Sequence, residues 1–222
     1  MESNLFHFFK RIPTGLAEIP DPPYALLLKG TCPGAPKRAA IVGARGCSGY
    51  GEHYTREFAE ALAAAGVDII SGMAKGIDGT GQRAALNAGG KSYAVLGSGV
   101  DVCYPRDHIG LYMDIIEHGV ESSNSTGNTA TRNEFSNEEP DHQRSVRCGS
   151  CDGGPVEEWL FDYSRYGTGT GKGCLCFRDV LDSPLSAGCN QLIQQGAGIL
   201  LNPEICWKNG GLKQMFCAET RR

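Results

Sequence analysis

The sequence predicts an α/β fold, a parallel sheet with helices on both faces, interrupted by a middle segment that does not look native to it. Three observations predict this. Short apolar runs ending in glycine alternate with amphipathic stretches of helical length between residues 38 and 119. Glycine makes up 31 of 222 residues, about double ordinary usage, and many of these glycines fall where strands should end. From Phe135 to Gly154, "FSNEEPDHQRSVRCGSCDGG", aliphatic residues almost vanish and carboxylates crowd in.

Residues 1–36 read as an N-terminal extension with a lead-in strand: "AEIPDPPYALLLKG" (17–30) is a proline-rich turn, then a short apolar run. "RAAIVGAR" (38–45) is a buried strand closing on glycine and arginine. "YTREFAEALAAAG" (54–66) sets Phe58, Leu62 and Ala65 on one helical face, with Gly66 as the stop. "VDIISG" (67–72) is a second strand, and "GIDGTGQRAALNAGG" (76–90) a helix ended by Gly89 and Gly90. "SYAVLGSG" (92–99) is a third strand; "RDHIGLYMDIIEHG" (106–119) is a third helix with Ile109, Met113 and Ile116 on its apolar side. The pattern stops there and resumes at "DSPLSAGCNQLIQQGAGILLNPE" (182–204) as a loop, a helix and an apolar run. Strands alternating with helices of ~12 residues imply right-handed crossovers and a parallel sheet. One domain over 37–204 is expected, with 205–222 as a C-terminal tail.

A chain of this length can bury a core without staples. No run approaches the ~20 apolar residues of a membrane span. The start, "MESNLFHFFKRIP", lacks a secretory apolar run. A cytoplasmic protein is expected, with its ten cysteines reduced. A net charge of −4 and a pI near 5.7 speak against a nucleic-acid binder. Residues 121–162, however, hold nine carboxylates against three arginines, a balance of −6 that leaves +2 for everything else.

In a sheet of this kind ligands bind beyond the carboxyl ends of the strands. Three glycine-rich ends converge there: Gly43-Ala44-Arg45, Ser71-Gly72 with Lys75-Gly76 beyond, and Gly97-Ser98-Gly99. Glycines let backbone N–H groups approach an anion, and the next helix N-terminus adds partial positive charge. Arg45 can fork two hydrogen bonds onto a phosphate, and Lys75 adds a point charge. Each glycine alone reads as a tight turn; the three ends with Arg45 and Lys75 read as a phosphate-binding surface. "GARGCSGYG" lacks the dinucleotide spacing, and no Walker lysine-serine pair is present. Asp78 and Asp101 read as helix caps or loop braces. His53, His108 and His118 show no paired spacing, and Cys47, Cys103 and Cys189 no partner pattern. No catalytic group, metal or cofactor is expected.

"AAIVGARGCSGYG", "IISGMAKGID", "YAVLGSGVDVCYP" and "SPLSAGCNQLIQQGA", in this order and spacing, resemble the DNA-processing DprA (Smf) family over residues 17–119 and 182–202. The resemblance implies an extended Rossmann-like domain that binds single-stranded DNA, loads the RecA recombinase onto incoming strands in natural transformation, and forms a homodimer. It assigns Gly43, Ala44 and Arg45 to a first phosphate loop. Ser71, Gly72, Lys75, Gly76 and Asp78 fall in a second motif, and Gly97, Ser98, Gly99 and Asp101 in a third. Gln82 departs from the histidine of many relatives. The family's helical N-terminal and winged-helix C-terminal modules have no counterpart in these residues. Single-strand binding also needs surfaces on which bases stack; Tyr50 and Tyr104 are the candidates, each with packing on a helix as the alternative. A phosphoribohydrolase-like enzyme would need a Gly-Gly-x-Gly-Thr loop and a catalytic glutamate, and no such loop occurs. A nucleotide sensor using the same strand ends stays open.

The middle segment admits three readings. Cys148-x-x-Cys151 with Cys174-x-Cys176 suggests zinc, but the second pair is tightly spaced. Residues 121–159 hold only Phe135, Val146 and Val156 among Leu, Ile, Val, Phe and Met, the composition of a disordered loop. So long a structureless insertion in a compact domain argues against itself. Back-translation supplies the third reading. Asn133–Gln143, regrouped one nucleotide downstream, permits Met-Asn-Phe-Pro-Met-Arg-Asn-Arg-Ile-Ile, which resembles the family's "NFPxRNRII" DNA-binding motif. Residues 162–172, shifted alike, permit Ile-Thr-Ala-Asp-Met-Ala-Leu-Glu-Gln-Gly-Lys, which resembles its next helix. Residues from about 120 to 178 are therefore expected to be out of frame and structureless, with accidental cysteines and no zinc. The chain as written is expected to fold poorly and to bind single strands weakly or not at all, since Glu138, Glu139 and Asp141 stand where an arginine-rich motif would meet phosphate.

Overall fold

The computed structural model describes residues 6–9, 26–31, 37–122, 173–177, 183, 185–204 and 213–218. Within them run β1 (Phe6–Phe9), β2 (Leu26–Gly30), β3 (Arg38–Gly43), β4 (Asp68–Ser71), β5 (Ser92–Val95) and β6 (Gly119–Ser122). Then come β7 (Gly173–Phe177), β8 (Gly198–Leu200) and β9 (Lys213–Ala218). The helices are α1 (Gly49–Ala64), α2 (Ile77–Asn87), α3 (Ile109–Ile116) and α4 (Ala187–Gln194), with a 3-10 turn at Arg106–His108 leading into α3. All described strands join one sheet in the order β1-β2-β6-β5-β4-β3-β9-β7-β8. β1 and β2 pair antiparallel, as do β2 and β6; the remaining pairs are parallel.

Local chemistry explains the elements that frame the site. Ser48 caps α1, its hydroxyl accepting the Gly51 N–H at 3.1 Å. Gly66, at φ +74°, turns the chain out of the helix. α1 buries Phe58, Ala59 and Leu62 against Ile41 and Ile69 of the sheet. Gly81 lets α2 lie close to β3, since a Cβ there would come within 3.1 Å of Ile41. Paired strands keep Ile41, Ser71, Ala94 and Val120 in register on one face, the face that α1, α2 and α3 cover. Ile70, Tyr93 and Val95 point the opposite way and are also buried. From β3 to β6 the chain steps in one direction along the sheet; from β7 to β8 it steps in the other. Right-handed crossovers therefore put α4 on the face opposite α1–α3.

The expected α/β fold with helices on both sides is what forms, with four differences. The sheet is mixed, because β1 and β2 add to one edge by antiparallel pairing, β1 on β2 and β2 on β6. Residues 205–222, expected as a tail, contain β9, which lies between β3 and β7. Its run Met215-Phe216-Cys217-Ala218 has the apolar character an interior strand requires. The range 120–178, expected to be structureless, contributes β6 residues and all of β7 at its two ends. Leu175, Cys176 and Phe177 are buried, and Cys176 thereby lies in the sheet. Cys148, Cys151 and the two back-translated stretches lie outside the described residues. Finally, α3 buries Leu111, Tyr112 and Ile115, leaving Ile109 and Met113 exposed. That helix is apolar on several sides, so periodicity alone could not choose the face that meets Ala94 and Val120.

Candidate nucleic-acid interface

The carboxyl ends of β3, β4 and β5 open onto one cavity of about 240 Å³. Arg45 and Gly46 line it from the loop after β3, Gly72, Ala74 and Lys75 from the loop after β4, and Leu96, Gly97 and Ser98 from the loop after β5. Tyr104 and Pro105 close one side. It lies where the sheet order reverses, with β4 on one side of β3 and β9 on the other. That is the crevice in which open α/β sheets hold ligands.

The first two loops are stitched together. Gly76 takes φ +78°, and a Cβ there would meet the Ala44 carbonyl oxygen at 2.2 Å. No other residue type fits both restraints. The Ile77 N–H then donates to the Ala44 carbonyl at 3.2 Å. Met73, fully buried, also sits in the left-handed region at φ 59°, an uncommon place for a non-glycine residue. The His108 ring lies 2.9 Å from its carbonyl. The third loop is braced from within: Ser98 donates its hydroxyl to the Val102 carbonyl at 3.0 Å, and the Val102 N–H donates to Gly99 at 2.9 Å. Tyr112 of α3 donates to the Val100 carbonyl at 2.5 Å.

The expected site residues thus divide. Arg45, Gly72, Lys75, Gly97 and Ser98 line the cavity. Gly43, Ala44, Ser71, Gly76 and Gly99 shape the loops behind it; Ser71, fully buried, donates its hydroxyl to the Ile41 carbonyl at 2.9 Å. Tyr104 stands at the cavity half exposed, whereas Tyr50 sits on α1 with its ring 4.6 Å from that of Tyr54. Gln82 is in the core, its amide donating to the Tyr93 carbonyl at 2.8 Å, away from the cavity. Asp101 is exposed and outside the lining.

Two features were not legible in sequence. Lys75 is ion-paired with Asp107, both more than half exposed at 55% and 73%. The lysine, first by hydrogen bond and then by charge, holds the Asp107 carboxyl below its ordinary range. Asp78, 1% exposed in the first turn of α2, accepts the Gly72 N–H at 3.3 Å. Burial pushes its carboxyl up from 3.8 to about 7, against the pull of the Ser71 hydroxyl, the Arg45 charge and the N–H groups of Gly72 and Gly43. Both contacts join residues from separate loops, and only the fold brings them together.

Among the described residues no cluster of His, Cys, Asp and Glu is suited to a metal, and no helix is long and apolar enough to cross a membrane. A putative DNA processing protein DprA from Mycobacterium tuberculosis is 46% identical over 86 residues, 39% of this chain and 22% of that relative. The DNA processing protein DprA of Streptococcus pneumoniae is 35% identical over 206 residues, 85% of this chain and 67% of the relative. Against these relatives the chain matches from about a fifth to two thirds of their length. An X-ray structure of DprA from Streptococcus pneumoniae superposes with a TM-score of 0.79 at 28% identity, over 92% of this chain and 74% of that one. A DNA processing protein A from Helicobacter pylori, studied for its single-stranded DNA binding mode, shares the fold: TM-score 0.76, 20% identity, 90% and 93% covered. The sequence pattern of one family, described as DNA recombination-mediator protein A, matches residues 4–138. With that match over more than half its length, the chain belongs to the DNA recombination-mediator protein A family, the DprA/Smf proteins.

Proposed function

We propose that this chain binds single-stranded DNA at the β3–β5 strand ends, without catalysing a reaction, as a cytoplasmic homodimer that loads RecA onto incoming strands. The observation that carries the binding reading is the make-up of the cavity: Arg45 and Lys75 in one lining with Gly46, Gly72 and Gly97 from three strand-end loops, and the half-exposed Tyr104 beside them. Cations track phosphates, and an exposed ring gives a base somewhere to stack. Among the described residues the lining offers a guanidinium, an ammonium, a serine hydroxyl and a phenol, a set suited to holding an anion. The named binding mode of the Helicobacter pylori relative supports the same ligand class.

Fluorescence anisotropy with a labelled thymidine oligonucleotide tests this, with a mononucleotide as competitor. With the frame restored over 120–178, Arg45→Ala is expected to weaken oligonucleotide binding about tenfold and to lower the slope of log affinity against log salt by about one. Unchanged affinity and slope would remove Arg45 from the site. Tight mononucleotide binding with no oligonucleotide preference would instead favour a nucleotide sensor or a phosphoribohydrolase-like enzyme.

A further inference from the structure

Behind the cavity wall lies a carboxyl that the binding reading leaves unused. Asp78 is buried, one turn into α2, and its Oδ2 accepts the N–H of Gly72, a lining residue. The charge of Arg45, another lining residue, and the Gly43 N–H also bear on it. The groups that hold Asp78 thus include the cation and one of the strand-end amides expected to hold phosphate. The Ser71 hydroxyl has one hydrogen and two acceptors in reach, the Asp78 carboxyl and the Ile41 carbonyl at 2.9 Å. A charged carboxylate competes for that hydrogen. A protonated acid releases it to Ile41 and can donate its own to the serine oxygen.

We propose that Asp78 is a positioning residue that takes up a proton as a DNA phosphate enters the cavity, so that single-strand binding is linked to proton uptake. This rests on the single-strand reading above. An entering phosphate places a second negative charge on Arg45, across a space from which Asp78 is screened from water. Two anions sharing one cation in a dry site disfavour each other, and the cheaper to neutralise is the one that water cannot solvate. The proton comes from solvent and goes to the Asp78 carboxylate; Arg45 then faces the phosphate alone. With burial already lifting the carboxyl to about 7, little further pull is required.

Other charged groups on the surrounding elements are Arg38 and Asp68 at the far ends of β3 and β4, and Glu60 and the His53–Glu57 pair of α1. Lys75 is paired with Asp107, Arg83 of α2 with Asp114, and Arg56 of α1 with Glu52. His108 reaches Asp78's helix, since a Cβ at Gly79 would meet its ring at 2.5 Å. The test therefore reads the Asp78 carboxyl itself.

In the 222-residue chain labelled with 13C-aspartate, carboxyl shifts are followed against pH with and without a thymidine oligonucleotide, beside anisotropy titrations from pH 5.5 to 8.5. The Asp78 carboxyl is expected to titrate near neutrality and to move higher when the oligonucleotide is added. Affinity is expected to be level below pH 6 and to fall above neutrality by up to tenfold per pH unit, the limit for one proton. Asp78→Asn, neutral throughout and still able to accept the Gly72 N–H, should abolish that slope. An Asp78 carboxyl titrating in the ordinary range with and without DNA overturns the proposal even if the variant does not fold. One pH profile shared by both proteins overturns it as well. Absence of binding at every pH, by the 222-residue chain and by the protein with the frame restored over 120–178 alike, with a high carboxyl titration that the oligonucleotide does not move, overturns the DNA reading and the linkage together, a pattern distinct from either.

Discussion

Between β3 and β6 the sheet is built from sequence neighbours; between β9 and β8 it is not. Each step from β3 to β4, β5 and β6 is carried by one helix, α1, α2 or α3, and adds the next strand beside the last. On the other side of β3 lies β9, the last described strand in sequence, and beyond it β7, which starts 51 positions after β6 ends at Ser122. The first region closes short loops and buries its core as it forms, which costs little chain entropy. The second must bring distant segments together before any contact stabilises them. Every residue lining the cavity comes from the first region. The contrast makes the β3–β5 cavity the robust part of this chain and the β9-β7-β8 side the vulnerable one.

The largest effect should come from mending the second region. Restoring the alternative frame over 120–178 is expected to raise the thermal midpoint by about 10 °C or more, given several kcal/mol of recovered packing. It should also raise oligonucleotide affinity at least tenfold, since Arg-Asn-Arg then replaces the stretch that carries the Glu138, Glu139 and Asp141 carboxylates. Calorimetry and anisotropy on the two proteins would check both. Resequencing that finds one clean frame, with tight binding by the chain as written, would end the frame proposal.

The first region can be broken at a single atom. Gly76→Ala demands a left-handed alanine whose Cβ would sit 2.2 Å from the Ala44 oxygen. A loss of at least ~2 kcal/mol in urea unfolding is expected, along with weakened DNA binding. A variant as stable as the parent would mean that the two loops part at little cost.

A smaller effect concerns pH. The folded state keeps the Asp78 proton up to about 7, while the unfolded chain releases it near 3.8. The stability this confers is complete below about 4 and is lost as pH rises through 7. Urea midpoints should therefore fall over that interval more steeply for the parent than for Asp78→Asn. Identical profiles would show that the carboxyl does not titrate there. The smallest effect is at the rim: Asp107→Asn frees Lys75 from an exposed, solvent-screened ion pair, so affinity for oligonucleotide should rise only about two- to fivefold at low salt.

Much of the first region was legible beforehand because its signals are local. Glycine after an apolar run marks β3, β4 and β5, and the 3.6-residue period with Gly66 marks α1. Arg45 and Lys75 could be nominated from their place after strand ends. The buried face of α3 could not, since Ile109 and Leu111 are equally apolar and only the position of Val120 selects between them. Nor could β9, whose run of apolar residues has no local partner. The Lys75–Asp107 pair spans 32 positions, which no short pattern connects.

Between residues 38 and 119 the sequence by itself determined most of the strands and helices, and it set three glycine-rich strand ends, an arginine and a lysine at one end of the sheet. Those properties depend on backbone freedom and side-chain period within a few residues. Only the tertiary structure decided that Asp78 would lie buried behind Gly72 and Arg45, that Asp107 would hold Lys75, and that β9 would flank β3. Each depends on Coulomb interaction, desolvation or strand pairing between groups that meet in space and not along the chain.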